Sequence, residues 1–71
     1  MKLTKKYAKN YIVIKPNKSM SSDGWFIDIN YHAKKTDKIV ETETIIEKDL
    51  EHFMYRLKQN GYGEFDGELA G

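Results

Sequence analysis

Apolar and polar side chains alternate along residues 25–32. Trp25, Ile27, Ile29 and Tyr31 fall on one side; Phe26, Asp28, Asn30 and His32 fall on the other. Successive side chains of an extended chain point to opposite faces, so this stretch reads as a strand whose first set lines a core. Residues 39–46 alternate too, with Val40, Thr42, Thr44 and Ile46 on one side and Glu41 and Glu43 on the other. A shorter β-branched run at residues 11–15 predicts a further strand, closed by Pro16, which has no N–H to continue a ladder. Beyond residue 48 the period changes. Leu50, Phe53, Met54 and Leu57 follow the i, i+3, i+4, i+7 spacing of an amphipathic helix.

The helix ends are marked by charge and by glycine. Asp49 and Glu51 suit the positive N-terminal end of a helix, and Arg56 and Lys58 suit the negative C-terminal end. Gly61 stands where a left-handed C′ residue is expected, with Tyr62 placed to fold back on the last apolar turn. Two starts compete. Thr44 and Glu47 have capping-box spacing, which would begin the helix at Ile45. Alternatively the strand runs to Ile46 and the helix opens near Lys48, which the β-branched pair Ile45 and Ile46 favours.

The connections are polar. Residues 16–24 read as a long loop, 33–38 as a turn, 1–9 as a loose basic arm, and 63–71 as a flexible, acidic, glycine-rich tail. The predicted fold is one α+β domain over residues 1–71. It is a three-stranded antiparallel meander with one C-terminal helix packed on one face, a β-β-β-α order. One helix covers one face of a sheet. The other face, carrying Phe26, Asp28, Asn30, His32, Glu41 and Glu43 and bordered by Tyr11 and Val13, is expected to stay open.

Size limits what such a fold can hold. With 71 residues, the core is expected to supply no more than about 3–5 kcal/mol of net stability. There is no cysteine, so neither a disulfide nor a thiolate metal site adds to it. No apolar run has the length of a membrane span, and the basic start is not followed by an apolar segment of signal-peptide type. A cytoplasmic protein is expected.

Charge is sorted along the chain. Six lysines (Lys2, Lys5, Lys6, Lys9, Lys15, Lys18) precede the first acid, Asp23, whereas residues 39–71 hold eight acids against Lys48, Arg56 and Lys58. The net charge of +1 hides this polarity. Polarity of this kind speaks of partners and not of a reaction. Candidate chemistry is sparse. His32 and His52 have no third ligand at metal-binding spacing. Glu41 and Glu43 share a strand face, but an open face does not separate two carboxylate pKa values for acid–base work. Ser19, Ser21 and Ser22 lie outside any nucleophile elbow, and no phosphate-binding glycine loop exists. No enzyme activity, cofactor or metal is expected.

Two resemblances extend this reading. Gly24-Trp25-Phe26-Ile27-Asp28-Ile29, followed by a lysine-rich turn, a strand and a helix, resembles the three-strand-plus-helix modules of plant AP2 domains and phage-integrase arm-binding domains. That resemblance implies DNA reading by the open sheet face. The chain departs from the pattern at Asp28, Glu41 and Glu43, which are acidic. From Tyr11 to about Asp66, the succession of strand, Ser-rich loop, strand, polar turn, Glu/Thr-rich strand, helix ending in Asn60-Gly61-Tyr62 and acidic tail resembles compact phage-encoded anti-CRISPR inhibitors of Cas9. That resemblance implies occupation of a nucleic-acid-binding groove on a host protein.

The sequence therefore supports a small protein-binding inhibitor or modulator of phage or mobile-element type. Asp28, Glu41, Glu43, Tyr62, Glu64, Phe65 and Asp66 would form its contact surface. A second reading is a DNA-binding module using Lys2, Lys5, Lys6 and Lys9, with Tyr7 and Tyr11 interleaved. A third is a homodimer joined through the open sheet faces.

Overall fold

Leu3 sits at the centre of the hydrophobic core, only 2% exposed, packed with Ile12, Ile14, Ile27 and Ile29. The computed structural model describes residues 1–64. It comprises β1 (Lys2–Thr4), β2 (Asn10–Ser21), β3 (Gly24–Ala33), β4 (Ile39–Ile46), a 3₁₀ turn (Glu47–Asp49), α1 (Leu50–Gln59) and β5 (Gly63–Glu64). The antiparallel α+β fold with one C-terminal helix is as expected. The sheet has four strands in place of three, and the two-residue β5 adds a fifth at the edge, giving the order β4-β3-β2-β1-β5.

The additional strand corrects the reading of residues 1–9 as a loose arm. Lys-Leu-Thr is too short to show a period. Its one apolar residue is nevertheless set in register opposite Ile12, with Lys2 opposite Val13. The Ile14 N–H donates to the Met1 carbonyl at 2.8 Å, and the Met1 nitrogen donates to the Ile14 carbonyl at 3.0 Å. On its other side β1 pairs with β5, Leu3 opposite Glu64 and Thr4 opposite Gly63.

Pro16 does not end β2. Alternate residues of a strand direct their N–H groups to the same side, so Pro16 follows Ile14 in facing the β1 edge. β1 spans Lys2–Thr4 and its neighbouring contacts with β2 reach Ile14 and not Pro16, so the missing donor interrupts none of the ladder bonds observed. Residues 16–24, expected as a loop, are instead mostly hairpin. Pro16 pairs with Ile27 and Met20 with Trp25, so three residues of β2 bulge against one of β3. Asn17 Oδ1 accepts the Ser19 N–H at 2.9 Å across this bulge. Ser22 and Asp23 make the turn itself, and Gly24 takes the positive φ of 121° that closes it.

The core side of β3 is as expected for Ile27 and Ile29, with Tyr31 half-buried. Trp25 belongs to the same side but lies beyond the packed region, beside Pro16, Lys18 and Glu47, and remains exposed. Leu50, Phe53, Met54, Leu57 and Tyr62 pack on the core from the helix side, each partly buried. β4 runs to Ile46 and the helix begins after the 3₁₀ turn, so the Thr44 capping box does not form. Gly61, at φ 94°, ends the helix in a Schellman motif: the Tyr62 N–H donates to the Leu57 carbonyl and the Gly61 N–H to the Lys58 carbonyl, both at 3.0 Å. No helix among the described residues is long and apolar enough to cross a membrane.

The register of β4 overturns one expectation outright. Ile45 lies opposite Ile27, Glu43 opposite Ile29 and Glu41 opposite Tyr31, while Ile46, Thr44 and Thr42 face Phe26, Asp28 and Asn30. Glu41 and Glu43 therefore stand on the helix side, and the two threonines stand on the open face. Ile45 and Ile46 are equally apolar, so either could turn inward, and a one-residue choice flips every other side chain. Polar pairing accompanies the choice made. Thr44 Oγ1 donates to Asp28 at 3.1 Å, Thr42 Oγ1 to Asn30 at 2.9 Å, and the Tyr31 hydroxyl to Glu43 at 2.5 Å.

A buried Leu3 makes the N-terminal strand part of the stability of the domain. Leu3→Ala should cost about 2–5 kcal/mol in urea unfolding, as for other buried leucines. A loose arm would give a change within about 0.5 kcal/mol.

Candidate functional site

β1 is short, but it fixes where the chain turns. Residues 5–9 connect β1 to β2 and residues 34–38 connect β3 to β4. Asn10 pairs with Ala33 at the end of the central hairpin, so both connections emerge at the same end of the sheet. They are bonded to each other. The Lys34 N–H donates to the Lys9 carbonyl at 3.0 Å, and Lys34 Nζ donates to the Lys5 carbonyl at 2.8 Å. Lys5, Lys6, Lys9, Lys34, Lys35 and Lys38 are thereby gathered into one basic pole, half of the chain's twelve lysines and arginines, with Asp37 the single acid in the two turns. The last turn of α1, with Arg56 and Lys58, ends near the pole. The Lys5 side chain lies against Gly61, and its ammonium sits 5.8 Å from the Tyr62 ring centre.

Local chemistry holds each turn. In the first, the Ala8 N–H donates to the Lys5 carbonyl at 3.2 Å, and Tyr7 carries a φ of 72°. In the second, the Asp37 N–H donates to the Ala33 carbonyl at 2.7 Å and Asp37 takes a φ of 62°, a conformation aspartate tolerates better than most residues. A depression between the turns is formed by Ala8, Lys9, Asn10, Ala33, Lys34 and Lys35.

On the open face, at the base of the pole, Tyr11 and His32 stack with ring centres 4.9 Å apart and planes 5° from parallel. The Tyr11 hydroxyl donates to Asp37 Oδ1 at 2.9 Å, and His32 Nδ1 lies 2.9 Å from the Asp37 carbonyl. Lys2 stands over the Tyr11 ring at 4.2 Å. Asp37 thus locks both rings in place, and the Tyr11 pKa is raised above the ordinary value, first by the hydrogen bond to Asp37, then by desolvation of the phenol and by the Asp37 charge. Tyr31, on the opposite face, is raised more strongly: burial is the main cause, followed by its hydrogen bond to Glu43.

The acids singled out from sequence do not share a surface. Asp28 is on the open face, bonded by Asn17 Nδ2 at 3.0 Å and by Thr44, and paired across the strands with Lys15. Glu41 and Glu43 are on the helix side, and Tyr62 is half-buried against the core. The backbone of Glu64 pairs with Leu3, while Phe65 and Asp66 lie outside the described residues. Of the lysines singled out, the fold unites Lys5, Lys6 and Lys9 and sets Lys2 apart, over Tyr11. Lys34, Lys35 and Lys38 are site residues that sequence reasoning missed. They cluster visibly in the sequence, but their meeting with residues 5–9 depends on β1 being a strand. Among the described residues, no group of three His, Cys, Asp or Glu is placed to hold a metal ion.

A tyrosine titration followed by phenolate absorbance tests this geometry. The phenolates of Tyr11 and Tyr31 should form above the ordinary tyrosine range of about 10, and Tyr31→Phe should remove the highest step. A phenol whose folded pKa is raised stabilises the fold fully below its unfolded pKa, and that contribution is lost as pH climbs above it. Urea stability of the native chain should accordingly fall more steeply above about pH 10 than that of Tyr31→Phe. Equal slopes would contradict the half-buried setting of Tyr31 and its bond to Glu43. No protein family, curated protein or solved structure matches the chain.

Proposed function

We propose that this protein is a nucleic-acid-binding module whose contact surface is the basic pole. The observation that carries the reading is the union of the two lysine turns. Segments well separated in sequence bring six lysines together around one acid, beside a fixed Tyr–His ring pair. Lysines held at one end of a rigid sheet displace condensed counterions from a phosphate backbone, and that release drives binding. Asp37 is the one acid in the two turns, and its carboxylate is turned to the Tyr11 hydroxyl, which it accepts at 2.9 Å. The reading of an acidic partner-binding face is weaker on this geometry, since Asp28 stands on one face of the sheet and Glu41 and Glu43 on the other.

The test is binding of a labelled oligonucleotide over a range of salt concentrations. Affinity should fall linearly on logarithmic axes, with a slope of about −0.9 per phosphate neutralised on a duplex and about −0.7 on a single strand. Replacing Lys9, Lys34 and Lys35 by Gln should weaken binding on every sequence and flatten the slope by roughly one unit for each phosphate no longer neutralised. Replacing Lys18 and Lys48, at the opposite end of the sheet, should change neither. No binding at low salt, or equal effects from the two ends, would refute the proposal.

A further inference from the structure

Tyr7 is 90% exposed, more than any other large apolar side chain among the described residues. It occupies the third position of the turn closed by Lys5 and Ala8, at a φ of 72°. Within that turn positive φ occurs only at the third position, as in a type II turn, where glycine is the usual occupant. For a bulky side chain this backbone region is an outlier with a steric cost. The fold thus keeps a strained backbone and an exposed ring where glycine would remove both costs. Packing does not account for the ring, which is largely in solvent with Lys6 Nζ 5.3 Å from its centre.

We infer that Tyr7 is a stacking platform for an unpaired base, and that the ligand of the basic pole is single-stranded nucleic acid. The inference rests on the proposed nucleic-acid reading and narrows it to one form of the polymer. Lys5, Lys6 and Lys9 flank the ring in sequence, so a phosphate backbone following them carries its bases past Tyr7. A single strand offers free base faces to an aromatic ring, whereas in a duplex those faces are already stacked on their neighbours. The Tyr11 ring, at the base of the pole, is half-buried and engaged. Tyr11 lies between His32, on the β3 side, and Lys2, on the β1 side. The ring pair therefore braces the pole, and Tyr7 is the ring with a face to give.

The experiment compares the full-length chain with Tyr7→Ala, Tyr7→Gly and Tyr7→Phe. The probes are a labelled oligothymidylate, a labelled oligouridylate and a DNA duplex of equal length. The native chain should prefer a single strand to the duplex. Tyr7→Ala and Tyr7→Gly should lose about tenfold or more on the single strand, with the salt slope and duplex binding unchanged, and Tyr7→Phe should retain affinity. Tyr7→Gly should melt no lower than the native chain, because it relieves the turn; this separates loss of binding from loss of fold. The two single-strand arms identify the polymer, and dependence on Tyr7 in either supports the inference. Equal binding of duplex and single strand, indifferent to Tyr7, overturns the inference and leaves the basic pole standing. Absence of binding to all three probes at low salt overturns both.

Discussion

The seating of Leu3 against Ile12 is the contact on which the rest of the arrangement depends. It turns a lysine-rich N-terminal segment into a strand, and the strand fixes the direction in which the chain leaves it. Once β1 is antiparallel to β2, residues 5–9 must reverse at the same end of the sheet as residues 34–38. The bonds from Lys34 to Lys9 and Lys5 follow from that proximity. One buried leucine side chain thus holds several like charges close together. Such crowding is costly at low ionic strength and is offset by packing elsewhere in the sheet.

Much of the fold was legible in the sequence, where a long period or a special residue marked it. The alternation of Ile27 and Ile29 identified the central strand, the helical spacing of Leu50, Phe53, Met54 and Leu57 identified the helix, and Gly61 identified its end. Where the sequence misled, the reason lies in interactions that local pattern does not carry. Three residues cannot display a period, so β1 was invisible except through Leu3. Pro16 signals a strand end only if its N–H is needed, and that depends on where the neighbouring strand stops. The adjacent Ile45 and Ile46 left the face of β4 undetermined. Its outcome is accompanied by hydroxyl bonds from Thr42 and Thr44 to polar groups on a different strand.

The candidate site was legible in part, in composition but not in space. The N-terminal lysines, Tyr7 and Tyr11 stood out as a basic, aromatic segment. The lysines of the second turn read only as a polar connection. Their joining is a tertiary event. The sequence shows charge sorted from one terminus to the other; the fold sorts it again, by end and by face. Acids that looked like one surface are divided between the two faces of the sheet, and lysines from two segments become one pole.

Amide hydrogen exchange at Ile14 and Lys34 reads out the docking of β1 and the joining of the two turns. Ile14 donates to Met1, and Lys34 donates to Lys9, so these two amides report whether β1 is docked and whether the turns are joined. Both amides should be protected well above a free chain, and Leu3→Ala should deprotect them together. Exchange of both amides at free-chain rates in the native protein would contradict the docked strand and the joined turns.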